Sequence, residues 1–89
     1  MSRKVYKYPV VMENRFTLAL PEKAEVLSVG VQFGQPQVWV FLDPNAPKVV
    51  RTFMVASTGY PVEEPNVKFI GTFQLEGGAL IFHLFEVLG

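Results

Sequence analysis

What most constrains this chain is how often it is interrupted. Seven prolines and seven glycines cut it into short runs of Val, Phe, Ile, Leu and Thr. The runs recur roughly every eight to twelve residues, the spacing of strands joined by turns. No apolar i, i+3, i+4, i+7 pattern is sustained, so no helix is expected. The runs are Val5 to Val10, Phe16 to Leu20, Val26 to Phe33, Gln37 to Leu42, Val49 to Ser57, Phe69 to Leu75 and Ala79 to Val87. About seven short strands with brief connections predict a single all-β domain over residues 1–89. Its form would be a small antiparallel β-sandwich or a partly open barrel.

Two hairpins can be read in register. Gly34-Gln35-Pro36 follows the third run, and Gly34 at the first loop position suits a two-residue II′ turn. That register pairs Val31 with Val38, Val29 with Val40 and Leu27 with Leu42 on one apolar face. The other face would set Gly30 against Trp39 and Ser28 against Phe41. In the last hairpin a I′ turn at Gly77-Gly78 sets Thr72 opposite His83, Gln74 opposite Ile81 and Ile70 opposite Phe85. Phe73 with Phe82, Gly71 with Leu84 and Leu75 with Leu80 then share the alternate face. In the fifth run Arg51, Phe53 and Val55 point one way, and Val50, Thr52, Met54 and Ala56 the other.

Composition narrows the function. Eight basic and eight acidic residues cancel, 49% of the chain is apolar and only 18% is charged. A disordered tail needs the opposite balance, and a DNA- or RNA-binding protein normally shows a basic excess. No cysteine is present, so disulfides and thiolate metal sites are excluded; one histidine argues against a zinc enzyme. No metal or cofactor is expected. The longest apolar stretch, Ala79 to Phe85, includes His83 and falls far short of the ~20 residues that cross a bilayer. The basic N-terminus has no apolar region after it and is not expected to act as a signal peptide. A disulfide-free fold suits a reducing cytoplasm. The twelve aromatic residues (eight Phe, three Tyr, one Trp) are a heavy load for a domain that buries only about 60–65% of its unfolded surface, which favours a homo-oligomer.

Several polar residues could carry binding chemistry. His83, Thr72 and Gln74 form a polar group in an otherwise apolar hairpin, suited to contacting a phosphate or a ring nitrogen. The alternative is a histidine satisfied by a neighbouring threonine hydroxyl. Arg51 beside Phe53 could fork onto a carboxylate or phosphate or stack on a base, or form a structural ion pair with Glu86 or a loop acid. Thr58-Gly59-Tyr60-Pro61 is a turn whose backbone N–H groups could cradle an anion, with Tyr60 as a stacking platform. Trp39 and Phe41 are expected to form an interface patch. No serine has a nucleophile context that would let His83 work as a catalytic base. Glu63-Glu64 reads as a solvated loop, not a catalytic carboxylate pair. No catalytic residue is assigned.

The order of short motifs also carries a resemblance. Lys7-Tyr8-Pro9, Leu27-Ser28-Val29, Trp39 with Asp43-Pro44, Arg51-Thr52-Phe53 and Thr58-Gly59 with Pro61 come first. Phe69-Ile70-Gly71-Thr72-Phe73-Gln74, Gly77-Gly78-Ala79-Leu80-Ile81-Phe82-His83 and Phe85-Glu86 follow. Together, from about Val5 to Val87, they resemble a family of small proteins of unknown function from tailed bacteriophages and prophages. That family commonly has His after Thr-Gly where this chain has Tyr60, which removes an imidazole from the turn but leaves stacking and hydrogen bonding. The resemblance implies a protein acting in the bacterial host cytoplasm. Small phage proteins of this kind include inhibitors of host defence, some of them oligomeric sponges for nucleotide-derived signals. On that analogy the expected function is binding of a nucleotide-like small molecule without turnover, through Arg51, Thr58, Gly59, Tyr60, Thr72, Gln74 and His83. The alternative is a structural or protein-interaction module: a virion component or an inhibitor of a host protein.

Overall fold

The computed structural model describes residues 2–89. Seven strands follow one another: β1 (Lys4–Pro9), β2 (Arg15–Pro21), β3 (Glu25–Gln32), β4 (Gln35–Leu42), β5 (Lys48–Ser57), β6 (Val67–Leu75) and β7 (Leu80–Val87). They form two antiparallel sheets packed face to face, in the orders β1-β4-β3 and β2-β5-β7-β6. The result is a sandwich and not a closed barrel; alternation alone suits both. Among the described residues no helix is long and apolar enough to cross a membrane.

The core is the facing set of alternate side chains. Val38, Val40 and Leu42 of β4 meet Phe16 and Leu20 of β2, Phe53 and Val55 of β5, Phe73 of β6 and Leu84 of β7. Phe16 stacks on Phe53 with ring centroids 5.5 Å apart. β3 packs on β6 across the sandwich. Their approach depends on Gly71, where a Cβ would lie 2.7 Å from Cγ1 of Val29.

The β3–β4 register differs from the sequence expectation. The turn is Phe33-Gly34, with φ of 52° and 75°, so the strands close at Gln32–Gln35 and pair Val31 with Pro36 and Val29 with Val38. This is a I′ turn, which needs positive φ at both central residues. Leu27 is a bulge between Val26–Val40 and Ser28–Trp39, and it is exposed instead of facing Leu42. Trp39 still covers Gly30, diagonally: a Cβ there would meet the indole at 3.3 Å.

The β6–β7 register holds from Leu75–Leu80 through Thr72–His83 to Gly71–Leu84. The expected Gly77-Gly78 I′ turn is replaced by a short 3-10 turn at Glu76–Gly78. A bulge at Ile70 pairs Phe69, not Ile70, with Phe85, and those two rings meet edge to face at 5.5 Å.

Candidate functional site

The outer face of the four-stranded sheet is unusual for a surface turned to water. Outward positions are Arg15, Thr17 and Ala19 on β2, and Lys48, Val50 and Thr52 on β5, with Met54 and Ala56 on the same side of β5 but buried. β7 adds Ile81, His83, Phe85 and Val87, and β6 adds Val67, Phe69, Thr72 and Gln74. Between Arg15 at one end and Lys48 at the other, no charged side chain points outward. Val50 is 72% exposed and Phe69 57%. Solvated faces of antiparallel sheets are normally polar. The outer face of the three-stranded sheet obeys that rule: Lys7 bonds Gln32 and the Arg3 guanidinium lies 4.2 Å over the Phe41 ring.

A polar cluster interrupts the apolar face. Ala56, His83 and Thr72 form one cross-strand row, and the small Ala56 leaves the imidazole room. Thr72 Oγ1 lies 2.8 Å from Nδ1 of His83 and Thr58 Oγ1 lies 2.8 Å from Nε2. The Thr58 hydroxyl also donates to the Ile81 carbonyl at 3.4 Å. A hydroxyl has one proton to give, so Thr58 accepts from Nε2–H, and with the imidazole neutral Thr72 donates to Nδ1. The neighbouring turn is closed by Tyr60 N–H on Ser57 O, at 3.1 Å. Gly59 holds φ 88° in it, as the third residue of a type II turn requires. Thr58 N–H bonds Ile81 O at 3.4 Å. Two of the three N–H groups offered for an anion are therefore engaged, and no anion nest is formed.

Thr58, Gly59, Tyr60, Thr72, Gln74 and His83 thus lie in one region of the outer face and adjoining turn. Arg51 does not join them. It points inward beside Phe53, where Nε and Nη2 donate to the Glu86 carboxylate at 2.6 and 2.7 Å, and Nη1 donates to Ala24 O at 2.6 Å. The bonds to Glu86, against the opposing effect of burial, raise the guanidinium above the ordinary arginine range, so it stays charged wherever the fold survives. The ion-pair alternative weighed from sequence is the arrangement found.

The arginine near Tyr60 is Arg15, which the sequence reading passed over. Its Nη1 donates to both carboxylate oxygens of Glu64, at 2.7 and 3.2 Å. Both residues line an open cavity of about 540 Å³ with Met12, Met54, Tyr60 and Phe82. Nothing in the local sequence marks Arg15; its role depends on a loop arriving from 49 residues away. Trp39 and Phe41 share the outer face of the opposite sheet and are half-buried. Among the described residues no cluster of metal-ligating side chains occurs.

A family model described as a domain of unknown function (DUF7352) matches residues 1–88. The chain belongs to that family. No curated protein and no solved structure matches it.

Proposed function

We propose that this DUF7352 domain is a non-catalytic binding module whose working surface is the outer face of its four-stranded sheet. The observation that carries this reading is the charge-free stretch between Arg15 and Lys48 with Val50 and Phe69 exposed on it. Apolar surface of that kind marks an interaction site. The occupant that suits a broad, flat, uncharged sheet best is another protein. The resemblance to phage and prophage proteins supports a role as an inhibitor of a host protein in the bacterial cytoplasm, or as a virion component.

A second reading has its own support. Tyr60, 73% exposed, stands beside the His83 cluster and the cavity holding Arg15, an arrangement suited to a nucleotide-like molecule held without turnover. Any phosphate would fall to Arg15, whose pair with Glu64 lies at the surface, and would have to compete with that carboxylate, whereas Arg51 is held inside the sandwich by Glu86 and Ala24 O. A phage-encoded sponge for a nucleotide-derived signal would work this way.

The test has two arms. The purified protein is incubated with cyclic and linear nucleotides, and bound material is released by heat and chromatographed. In parallel, immobilised protein is exposed to bacterial lysate beside a Val50→Lys/Phe69→Lys variant. The leading reading expects protein capture that the variant loses. Recovery of an intact nucleotide, abolished by Tyr60→Ala, supports the second. A chemically altered nucleotide overturns the non-catalytic claim in both.

A further inference from the structure

The sandwich has four sheet edges, and they are protected unequally. β3 and β6 pack against each other, which covers two. β1 ends the three-stranded sheet and carries Lys4, Lys7 and Pro9, the residue types that discourage edge pairing. β2 ends the four-stranded sheet and has no such device between Phe16 and Leu20. No charge, proline or bulge interrupts that stretch, and its register against β5 is unbroken.

The hydrogen-bond phase shows what this edge offers. Val55 N–H bonds Asn14 O at 3.3 Å and Glu22 N–H bonds Pro47 O at 2.8 Å, both in the phase of the β2–β5 register. In an antiparallel ladder alternate residues point their amides to alternate sides. Phe16, Leu18 and Leu20 therefore bond β5, while Thr17 and Ala19 turn N–H and C=O to the open edge. Both are exposed and Leu18 is only half-buried.

We propose that two copies of this chain pair antiparallel along β2, about a two-fold axis at Leu18. That register sets Thr17 opposite Ala19 of the second copy, so edge-directed amides meet edge-directed carbonyls. Phe16 meets Leu20 and Leu18 meets its own counterpart, all on the core side, so neither face is turned over. No like charges are brought opposite each other. Arg15 falls opposite Pro21, whose missing N–H ends the ladder. The apolar-neutral alternation Phe-Thr-Leu-Ala-Leu is symmetric about its centre, which favours a second copy over an unrelated peptide. The pairing joins the two uncharged outer faces into one platform. It stands whether or not that platform binds a partner.

The test is light scattering after gel filtration of the full chain, across a hundredfold concentration range. The expected mass is twice the 10.0 kDa of one chain, with the Thr17 and Ala19 amides gaining hydrogen-exchange protection as concentration rises. Ala19→Pro removes an edge donor without touching the β2–β5 ladder, and Thr17→Lys/Ala19→Lys sets lysine against lysine. Both are expected to give folded monomers with unchanged circular dichroism. Val50→Lys, on the face and not the edge, is expected to stay dimeric while losing any captured partner. A monomeric wild type at every concentration overturns the proposal. So does a dimer that survives both edge variants, or one that only Val50→Lys dissociates, which would put the contact face to face.

Discussion

If the Arg51–Glu86 pair is structural, its two halves must be worth far more together than apart. Glu86 keeps only 8% of its side-chain surface and Arg51 22%. Arg51→Met removes the cation and leaves the buried carboxylate without its hydrogen-bonded partner, with Lys68 as its cross-strand neighbour. Breaking a buried pair in this way costs about 3–5 kcal/mol. The exposed portion of Arg51 lets water approach and puts the expected cost near about 3 kcal/mol. The Ala24 carbonyl also loses its donor, adding roughly 1 kcal/mol. Glu86→Leu leaves the guanidinium bonded to Ala24 O alone, a loss of about 2–3 kcal/mol. The double variant Arg51→Met/Glu86→Leu replaces two charges by apolar groups of similar reach. It is expected within about 1–2 kcal/mol of wild type, because the desolvation cost disappears with the attraction. The cycle should therefore show a coupling of about 4–6 kcal/mol between the two sites. Urea unfolding followed by circular dichroism measures it, and each kcal/mol should move Tm by about 4–8 °C in a domain of this size. Additive single effects would refute the reasoning, as would an Arg51→Met cost under about 1 kcal/mol. Either would return Arg51 to the pool of residues free to hold a ligand.

Three further outcomes follow from local geometry. Phe33 is 97% exposed at φ 52°, so Phe33→Asn relieves left-handed strain without losing packing and should stabilise by about 1 kcal/mol in urea; a loss of stability would show that the ring has a contact in solution. Gly71→Ala drives a methyl into Val29 Cγ1 at 2.7 Å and should cost about 1–3 kcal/mol, with Val29→Ala in the same chain recovering part of it; failure of that rescue would place the strain elsewhere. Phe69→Thr, at a position 57% exposed, should cost about 0.5–1.5 kcal/mol through the lost edge-to-face contact with Phe85 while weakening any captured partner, and a destabilisation well beyond that would make Phe69 mainly a packing residue.

Strand identity was legible because alternation and punctuation are local. The β3–β4 register was not, and the reason is specific. A turn at Gly34-Gln35 and one at Phe33-Gly34 differ by a slip of two in the pairing, which leaves every side chain on its own face. Hydrophobic alternation cannot tell them apart. Only the turn residue can, and propensity argues against the bulky Phe33 at positive φ. The β6–β7 hairpin escaped this ambiguity because its Thr72–His83 and Phe73–Phe82 rows hold even though the connection is a 3-10 turn. That row is also why the His83 cluster could be read in part from sequence. Thr58 joins it only because β5 and β7 are neighbours, which strand alternation does not reveal.

The misplacement of Arg51 had its answer in the same alternation. Arg51 and Phe53 share a side of β5, and the side on which Phe53 is fully buried is the core; an arginine there needs an internal acid, and Glu86 pairs with Phe53 across β5–β7. The bulges at Leu27 and Ile70 had no comparable signal. Both fall on β3 and β6, the two strands that meet across the sandwich, and both line the cavity that contains Arg51 and Glu86. A bulge sharpens local twist and bends its strand, so each edge coils toward the other just before Val29 reaches Gly71. The closed side of the sandwich is therefore built by two bulges and one glycine. On the opposite side Phe16 and Leu20 of β2 pack into the core but the strand's outer backbone edge is unpaired, and there the chain leaves Thr17 and Ala19 open to a partner.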